Sequence, residues 1–220
     1  MNKAKQFGET VEGYNIPVLN EREIRASAGI LFVFLFISWM LIIFKENFIL
    51  IKYFNLIFLT DFIIRVFINP KFSPSLIVGR LIVSRQNPEY VGAVQKKFAW
   101  TIGLVLATIM FFLMVVVNSY SFITGIICLI CLTFLFFESV FGICLGCIFY
   151  HWFNKEKTQH CPGEICDLKA RQEIQKTSFL QIGIVIGFLV YVLATAYLFN
   201  NGFSEKPTDL WIMVKSVLSI

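Results

Sequence analysis

Six cysteines lie in one short region of the chain, and their spacing suits thiol chemistry. They form three pairs, which are Cys128 and Cys131, Cys144 and Cys147, and Cys161 and Cys166. The second pair is spaced C-x-x-C within the sequence FGICLGC. Cysteines three residues apart on a helix share one face, so they can form a disulfide, carry a persulfide or bind a metal. We therefore predict that Cys144 and Cys147 are a reactive pair.

The third pair occurs in a polar segment as CPGEIC, where it could act together with the second pair. The Pro-Gly step predicts a tight turn that brings Cys161 and Cys166 together. Structural disulfides are disfavoured on a cytosolic face, so redox or metal chemistry is the default interpretation there. In one interpretation Cys161 and Cys166 are a mobile redox relay. In the other, Cys144, Cys147, Cys161 and Cys166 hold zinc or an iron–sulfur cluster.

The first pair lies in an unbroken apolar run and is interpreted as packing. Cysteine serves as small apolar filler in such segments. About 20 Å of helix would separate Cys131 from Cys144, which is too far for direct thiol exchange. We therefore expect Cys128 and Cys131 to take no part in the chemistry.

Three charged residues within apolar runs also call for a role, because an unpaired charge in hydrocarbon is costly. Asp61 and Arg65 are four residues apart and can pair on one helix face, while Glu138 lies in another run. One interpretation joins all three in a buried structural network. The alternative makes Glu138 a proton carrier that serves the thiols.

Five apolar runs have the roughly 20-residue length of a transmembrane helix. The chain is 57% hydrophobic, above the roughly 45–50% of soluble domains, and it lacks the alternating pattern of a membrane barrel. We predict an all-α, polytopic transmembrane helical bundle with about five spans, interfacial helices and a surrounding lipid bilayer. The runs are Ser27–Phe44, Phe48–Ile68, Phe98–Val117, Ser121–Tyr150 and Ser178–Phe199.

The same runs divide the chain into four parts. Residues 1–26 form a cytoplasmic N-terminal segment, and 27–150 form a four-span core of two helical hairpins joined by an interfacial linker over 69–97. Residues 151–177 form a cytoplasmic loop with the third cysteine pair. Residues 178–220 form a fifth span and an outer amphipathic tail. Within the linker, the apolar residues of SLIVGRLIVSR predict a helix on the membrane surface, with a loop as the alternative.

Lysine and arginine are concentrated in alternate connecting segments, which predicts a cytoplasmic N-terminus and an external C-terminus. The net charge of +5 is thereby explained mainly by topology. We expect no nucleic-acid binding.

Three segments together resemble a known family: FSPSLIVGRLIVSRQNPEYVGAVQKKFAW, FESVFGICLGCIFY and CPGEIC. They are similar to the uncharacterised bacterial integral membrane proteins of domain of unknown function 4395, over roughly Asn15 to Cys166. The most specific motif is G-x-C-x-G-C-x-x-Y. The resemblance implies a bacterial inner-membrane location and a soluble thioredoxin-like or sulfurtransferase partner. It marks Glu138, Gly142, Cys144, Gly146, Cys147 and Tyr150.

We expect an inner-membrane protein that handles disulfides or sulfane sulfur through the C-x-x-C pair at the cytoplasmic end of the fourth span. Such a protein would resemble a thiol-disulfide oxidoreductase. The alternatives are a transporter of a small sulfur compound and a metal-stapled structural or assembly subunit.

Overall fold

The computed structural model describes residues 7–11, 16–153 and 177–218, and most of these residues are helical. The helices are α1 Glu21–Lys45, α2 Ile49–Ile63, α3 Pro74–Ile82, α4 Ala93–Phe111, α5 Phe122–Phe136, α6 Leu145–Phe153, α7 Phe179–Ser204 and α8 Leu210–Leu218. Three of them continue into π-helical turns, which are Ile64–Ile68 after α2, Phe112–Val116 after α4 and Phe137–Phe141 after α5. The predicted all-α helical bundle is confirmed.

Four helices are long and apolar enough to cross a membrane, namely Glu21–Lys45, Ala93–Val116, Phe122–Phe141 and Phe179–Ser204. Large apolar side chains cover their outer surfaces: Phe122 and Phe179 are 83% and 94% exposed. Contact between such an apolar surface and water is unfavourable, whereas contact with the hydrocarbon of a bilayer is not. The chain therefore has the character of a membrane protein.

The second apolar run forms one continuous helix over residues 49–68, although it carries three charged residues. Near its start, Lys52 Nζ donates to Asn118 Oδ1 over 2.7 Å, in the connection between α4 and α5. Near its end, Arg65 Nη2 donates to Ser27 Oγ over 2.7 Å, close to the start of α1. The helix therefore extends across the whole bundle. We call the end with Ser27 the proximal end and the end with Asn118 the distal end.

Five helical segments thus traverse the bundle, and four of them are the candidate membrane spans. The first residue of α1 lies at the proximal end. The end of α7 lies at the distal end, where the Glu205 carbonyl accepts from Lys52 Nζ. The N- and C-terminal parts of the described chain are therefore on opposite sides, as five traverses require.

Two short sheets fasten the connecting segments. At the proximal end, β1 (Val18–Asn20) pairs antiparallel with β2 (Tyr90–Gly92), which ties the N-terminal segment to the start of α4. At the distal end, β3 (Ser119–Tyr120) pairs in parallel with β4 (Thr208–Asp209). The second pairing holds the segment after α7 against the connection between α4 and α5.

Helix α3 occupies the linker segment in which the sequence predicted a helix. Ser73 caps the helix, and Pro74 occupies its first position. Proline is suited to this position because a backbone N–H group there has no partner within the helix. The helix packs against α1, since a Cβ atom at Gly79 would lie 2.5 Å from the Glu23 carbonyl oxygen. Arg80 points into this contact and pairs with Glu23 over 3.1 Å. The positive charge of Arg80 is therefore neutralised by a buried ion pair within the protein.

The fourth span is shorter than predicted, because the run 121–150 is not one helix. The π-helical turn ends at Phe141, and Gly142 follows in the left-handed region with φ = 67°. Gly142 and Ile143 donate their N–H groups back to the carbonyls of Glu138 and Phe137, which closes the helix end. Hydropathy does not record such a backbone reversal, so the sequence predicted a single long span.

After this break, α6 turns back against the bundle. The ring centroids of Phe134 and Phe149 lie 6.5 Å apart, whereas a straight helix would place these residues about 22 Å apart. A Cβ atom at Gly146 would lie only 2.6 Å from the Cβ atom of Ala99 on α4. Helix α6 therefore packs directly on the first turns of α4.

Candidate functional site

Cys144 and Cys147 form a disulfide at the beginning of α6, with their Cα atoms 5.1 Å apart. Cys144 immediately precedes the helix, and its carbonyl accepts from the N–H groups of Cys147 and Ile148. The Cys147 N–H also donates to Cys144 Sγ over 3.2 Å. Both cysteine side chains are partly exposed at the proximal end. Cys144 is therefore held in the helix-capping position, and neither side chain of the pair is fully buried.

This position affects the two sulfurs differently. The N-terminal N–H groups of a helix carry partial positive charge and favour a thiolate placed there. In the reduced pair, Cys144 would receive the N–H of Cys147, while Cys147 itself lies inside the first turn. The geometry thus suits Cys144 as the attacking thiolate and Cys147 as the resolving cysteine.

Two glycines fix the direction of this turn. Gly142 provides the positive φ, and a Cβ atom there would lie 3.3 Å from Arg25 Nη1. Gly146 permits the close contact with Ala99 on α4. Further along α6, the ring of Tyr150 lies 5.3 Å from that of Phe98. These residues of the G-x-C-x-G-C-x-x-Y motif therefore position the disulfide against α1 and α4.

Arg25 is a member of the site that sequence reasoning missed. Its Nη2 atom donates to the Val140 carbonyl over 3.1 Å, and its guanidinium lies against Gly142. This places a positive charge beside the turn that leads into Cys144. In the sequence Arg25 counted only as a topological charge, because 115 residues separate it from its partner.

Glu138 lies in the π-helical turn that ends the fourth span, near the proximal end. Its Oε1 atom is 2.5 Å from Lys96 Nζ, and Lys96 also pairs with Glu21 over 2.9 Å. The Lys96 side chain is 4% exposed. The buried lysine therefore pairs with both carboxylates. Lys96 and Glu21 were missed because they fall outside the apolar runs.

Asp61 and Arg65 pair as their spacing predicted, with Arg65 Nε 2.8 Å from Asp61 Oδ2. The hydroxyls of Ser73 and Ser75 donate to the Asp61 carboxylate over 2.7 and 2.6 Å. Within the described residues, no hydrogen bond or ion pair joins Glu138 to Asp61 or Arg65. The three charges therefore form two clusters, where one interpretation of the sequence had a single network.

A small cavity of about 60 Å³ lies between these clusters, and both Arg65 and Glu138 line it. Cys131 lines the same cavity, whereas Cys128 is buried in the core. Both of these cysteines are free thiols. The packing role of these two thiols remains a prediction.

Cys161 and Cys166 lie outside the described residues, as does most of the predicted loop 151–177. The relay therefore remains a prediction. Among residues 7–11, 16–153 and 177–218, no group of three or more potential ligands could hold a metal ion. Cys144 and Cys147 would supply two thiolates after reduction, so a four-sulfur metal site also remains a prediction that depends on the third pair.

The fold and the site together define a helical membrane protein with a C-x-x-C disulfide at a helix N-terminus. The family model described as Domain of unknown function (DUF4395) matches residues 19–155, and the chain belongs to this family. The matched segment includes Cys144 and Cys147, whereas α7 and α8 lie beyond it. No curated protein matches the chain, and no solved structure matches it.

Proposed function

We propose that this protein exchanges disulfides or sulfane sulfur with a soluble thiol protein through Cys144 and Cys147. The observation that carries the proposal is the Cys144–Cys147 disulfide at the N-terminus of α6. The pair is partly exposed, as is Cys131, whereas Cys128 is buried. Thiol chemistry with a protein partner requires this kind of access.

The exchange proceeds through a mixed disulfide. A partner thiolate attacks Cys144 Sγ, the bond to Cys147 breaks, and Cys147 leaves as a thiolate. A second partner thiolate then displaces Cys144, so two electrons pass from the partner dithiol to Cys144 and Cys147. The reverse exchange uses the same steps, with Cys144 as the attacking thiolate.

Sulfane sulfur would follow a related path. The Cys144 thiolate attacks the outer sulfur of a partner persulfide, which forms a Cys144 persulfide and releases the partner thiolate. Attack by the Cys147 thiolate on the inner sulfur then releases sulfide and leaves the Cys144–Cys147 disulfide. Each step is an attack of a thiolate on a sulfur–sulfur bond.

The proposed location is the bacterial inner membrane, with the proximal end facing the cytoplasm. Lysine and arginine enrichment supports this orientation, since cytoplasmic loops carry excess positive charge. Arg25 and the exposed Lys71 and Lys97 lie at the proximal end. The partner would then be a cytoplasmic thioredoxin-like protein or sulfurtransferase, and Cys161 and Cys166 would relay sulfur or electrons to it.

The exchange is tested with the full chain in lipid nanodiscs and a thioredoxin-fold protein that lacks its resolving cysteine. The partner cysteine is supplied as its mixed disulfide with thionitrobenzoate, and the variant Cys147→Ser leaves the Cys144 thiolate to attack it. Thionitrobenzoate is released, and a stable mixed disulfide forms between Cys144 and the partner, which non-reducing gels detect. In this variant, with Cys161 and Cys166 also replaced by serine, adding Cys144→Ser should abolish that product. Adding Cys128→Ser instead is the matched control and should leave the product unchanged. An undiminished mixed disulfide in Cys144→Ser would contradict the proposal.

Transport of a small sulfur compound is a second candidate, and the cavity beside Arg65 and Glu138 is the observation that bears on it. Its volume of about 60 Å³ is far below the roughly 300–1,000 Å³ of drug-sized ligand sites, so only a very small solute fits. Sulfide uptake into proteoliposomes that requires Cys147 would favour transport over exchange.

A further inference from the structure

A second, larger cavity opens at the distal end of the bundle, opposite the disulfide. Its volume is about 390 Å³, within the range of roughly 300–1,000 Å³ that is typical of ligand sites. It lies between α1, α2, α4 and α5. The lining is largely apolar and includes Trp39, Phe48, Ile51, Met110, Met114 and Cys128.

The shape of this cavity suits an elongated apolar group. It reaches from Ser121 at the distal surface to Cys128, which is about 10 Å along α5. Met110 and Met114 add flexible thioether side chains, which adapt to irregular apolar ligands. The bundle's own hydrocarbon surroundings supply acyl chains at this depth.

The mouth of the cavity is charged. Glu46, between α1 and α2, pairs there with Lys206, and their side chains are 73% and 61% exposed. The hydrogen bond and charge of Lys206 lower the pKa of Glu46, and Glu46 raises the pKa of Lys206. Both groups are therefore charged at neutral pH. Such an exposed pair adds little stability, so its members can exchange partners at little cost.

Lys206 is held at this place by the segment that follows α7. The neighbouring Glu205 carbonyl accepts from Lys52 Nζ over 2.8 Å, and β4 pairs with β3 next to the mouth. This segment lies beyond the family match at residues 19–155. The C-terminal part of the chain therefore completes the entrance of a cavity whose walls belong to the family core.

We propose that the distal cavity binds one acyl chain of a zwitterionic phospholipid, whose phosphate pairs with Lys206 and whose ammonium group pairs with Glu46. The two charges at the mouth match a headgroup that carries both signs next to each other. An anionic headgroup without an amine would satisfy Lys206 and leave Glu46 opposed. The apolar wall below the mouth receives the chain.

Gly125 offers a way to fill the cavity without disturbing the fold. It lines the cavity, and a Cβ atom there would meet no atom within 4 Å. The variant Gly125→Leu should therefore fold, since leucine also favours helix more than glycine does. Gly183 on α7 has the same open surroundings and does not line the cavity, so Gly183→Leu is the matched control.

Lipid retention tests the proposal directly. The full chain is reconstituted in vesicles with equal amounts of phosphatidylethanolamine and phosphatidylglycerol and is then transferred to detergent. Native mass spectrometry identifies the lipids that remain bound to it. Wild type and Gly183→Leu should retain phosphatidylethanolamine, Gly125→Leu should lose most of it, and Lys206→Gln should lose the preference for it. Equal retention by Gly125→Leu and wild type would overturn the proposal, as would retention of both lipids in equal amounts by wild type.

Cys128 allows an independent test of the proposal, because it lines the distal cavity and Cys131 does not. An acyl chain in the cavity should shield Cys128 from a hydrophobic maleimide. Delipidation should then speed the labelling of Cys128 and leave the labelling of Cys131 unchanged. A Cys128 labelling rate that does not respond to delipidation would contradict an acyl chain at this position.

Discussion

At the residue scale, the site depends on how the chain presents Cys144. Its carbonyl and sulfur both accept from the first turn of α6, and the Arg25 guanidinium lies beside the preceding Gly142. The Cys147 N–H group places partial positive charge at the sulfur, and Arg25 places a full positive charge beside the turn that precedes Cys144. They therefore favour the thiolate form that attacks a disulfide.

Arg25→Gln should make reduced Cys144 react with iodoacetamide only at higher pH, because the thiolate loses a nearby positive charge. Arg25→Lys should retain most of the effect. Arg22→Gln is the matched control, since Arg22 pairs with Glu89 over 2.6 Å and does not contact the cysteine turn. The pH profile of alkylation is the measurement, and identical profiles for wild type and Arg25→Gln would refute a role for Arg25.

The buried ion pairs of Lys96 with Glu21 and Glu138 should contribute to the stability of the fold. Lys96→Met should destabilise the fold by about 3–5 kcal/mol, because it leaves the carboxylates of Glu21 and Glu138 without their buried cation. Glu138→Gln should cost less, since Lys96 keeps Glu21 as a partner. Thermal unfolding in detergent measures both. If Glu138→Gln proves as damaging as Lys96→Met, the lysine is not the centre of the cluster.

At the element scale, the main feature is the break between α5 and α6. The sequence predicted the apolar runs correctly as helices, because length and hydropathy decide that a segment is helical in a membrane. It did not predict that the fourth run ends at Phe141, since this depends on the backbone of Gly142. Nor did it predict Arg25 or Lys96 as partners, because their contacts join elements that are distant in sequence.

Gly146→Ala tests the contact that positions α6. The added Cβ atom would lie 2.6 Å from that of Ala99, so α6 must move away from α4. We expect a loss of about 1–3 kcal/mol in stability from this overpacking. Gly125→Ala is the matched control and should not destabilise, because its Cβ atom meets nothing within 4 Å. Equal melting temperatures for both variants would contradict close packing of α6 on α4.

At the scale of the whole molecule, five traverses place the Cys144–Cys147 disulfide and the distal cavity on opposite sides. The exposed Lys71 lies at the proximal end, and the exposed Asn47 lies at the distal end between α1 and α2. In a chain whose native cysteines are replaced, Lys71→Cys should be labelled by an impermeant maleimide only from the cytoplasmic side. Asn47→Cys should be labelled only from outside. Labelling of both from one side would contradict the five-traverse topology.

The proposed function requires that Cys144 and Cys147 cycle between dithiol and disulfide in the cell. The most direct measurement uses a chain that retains only these two cysteines. Cells are quenched in acid, free thiols are alkylated, and the intact mass of the purified protein is compared with and without prior reduction. We expect a disulfide-bonded fraction that reductant removes and that grows when the cells are exposed to an oxidant. Two free thiols under every condition would contradict it and leave the pair as packing residues.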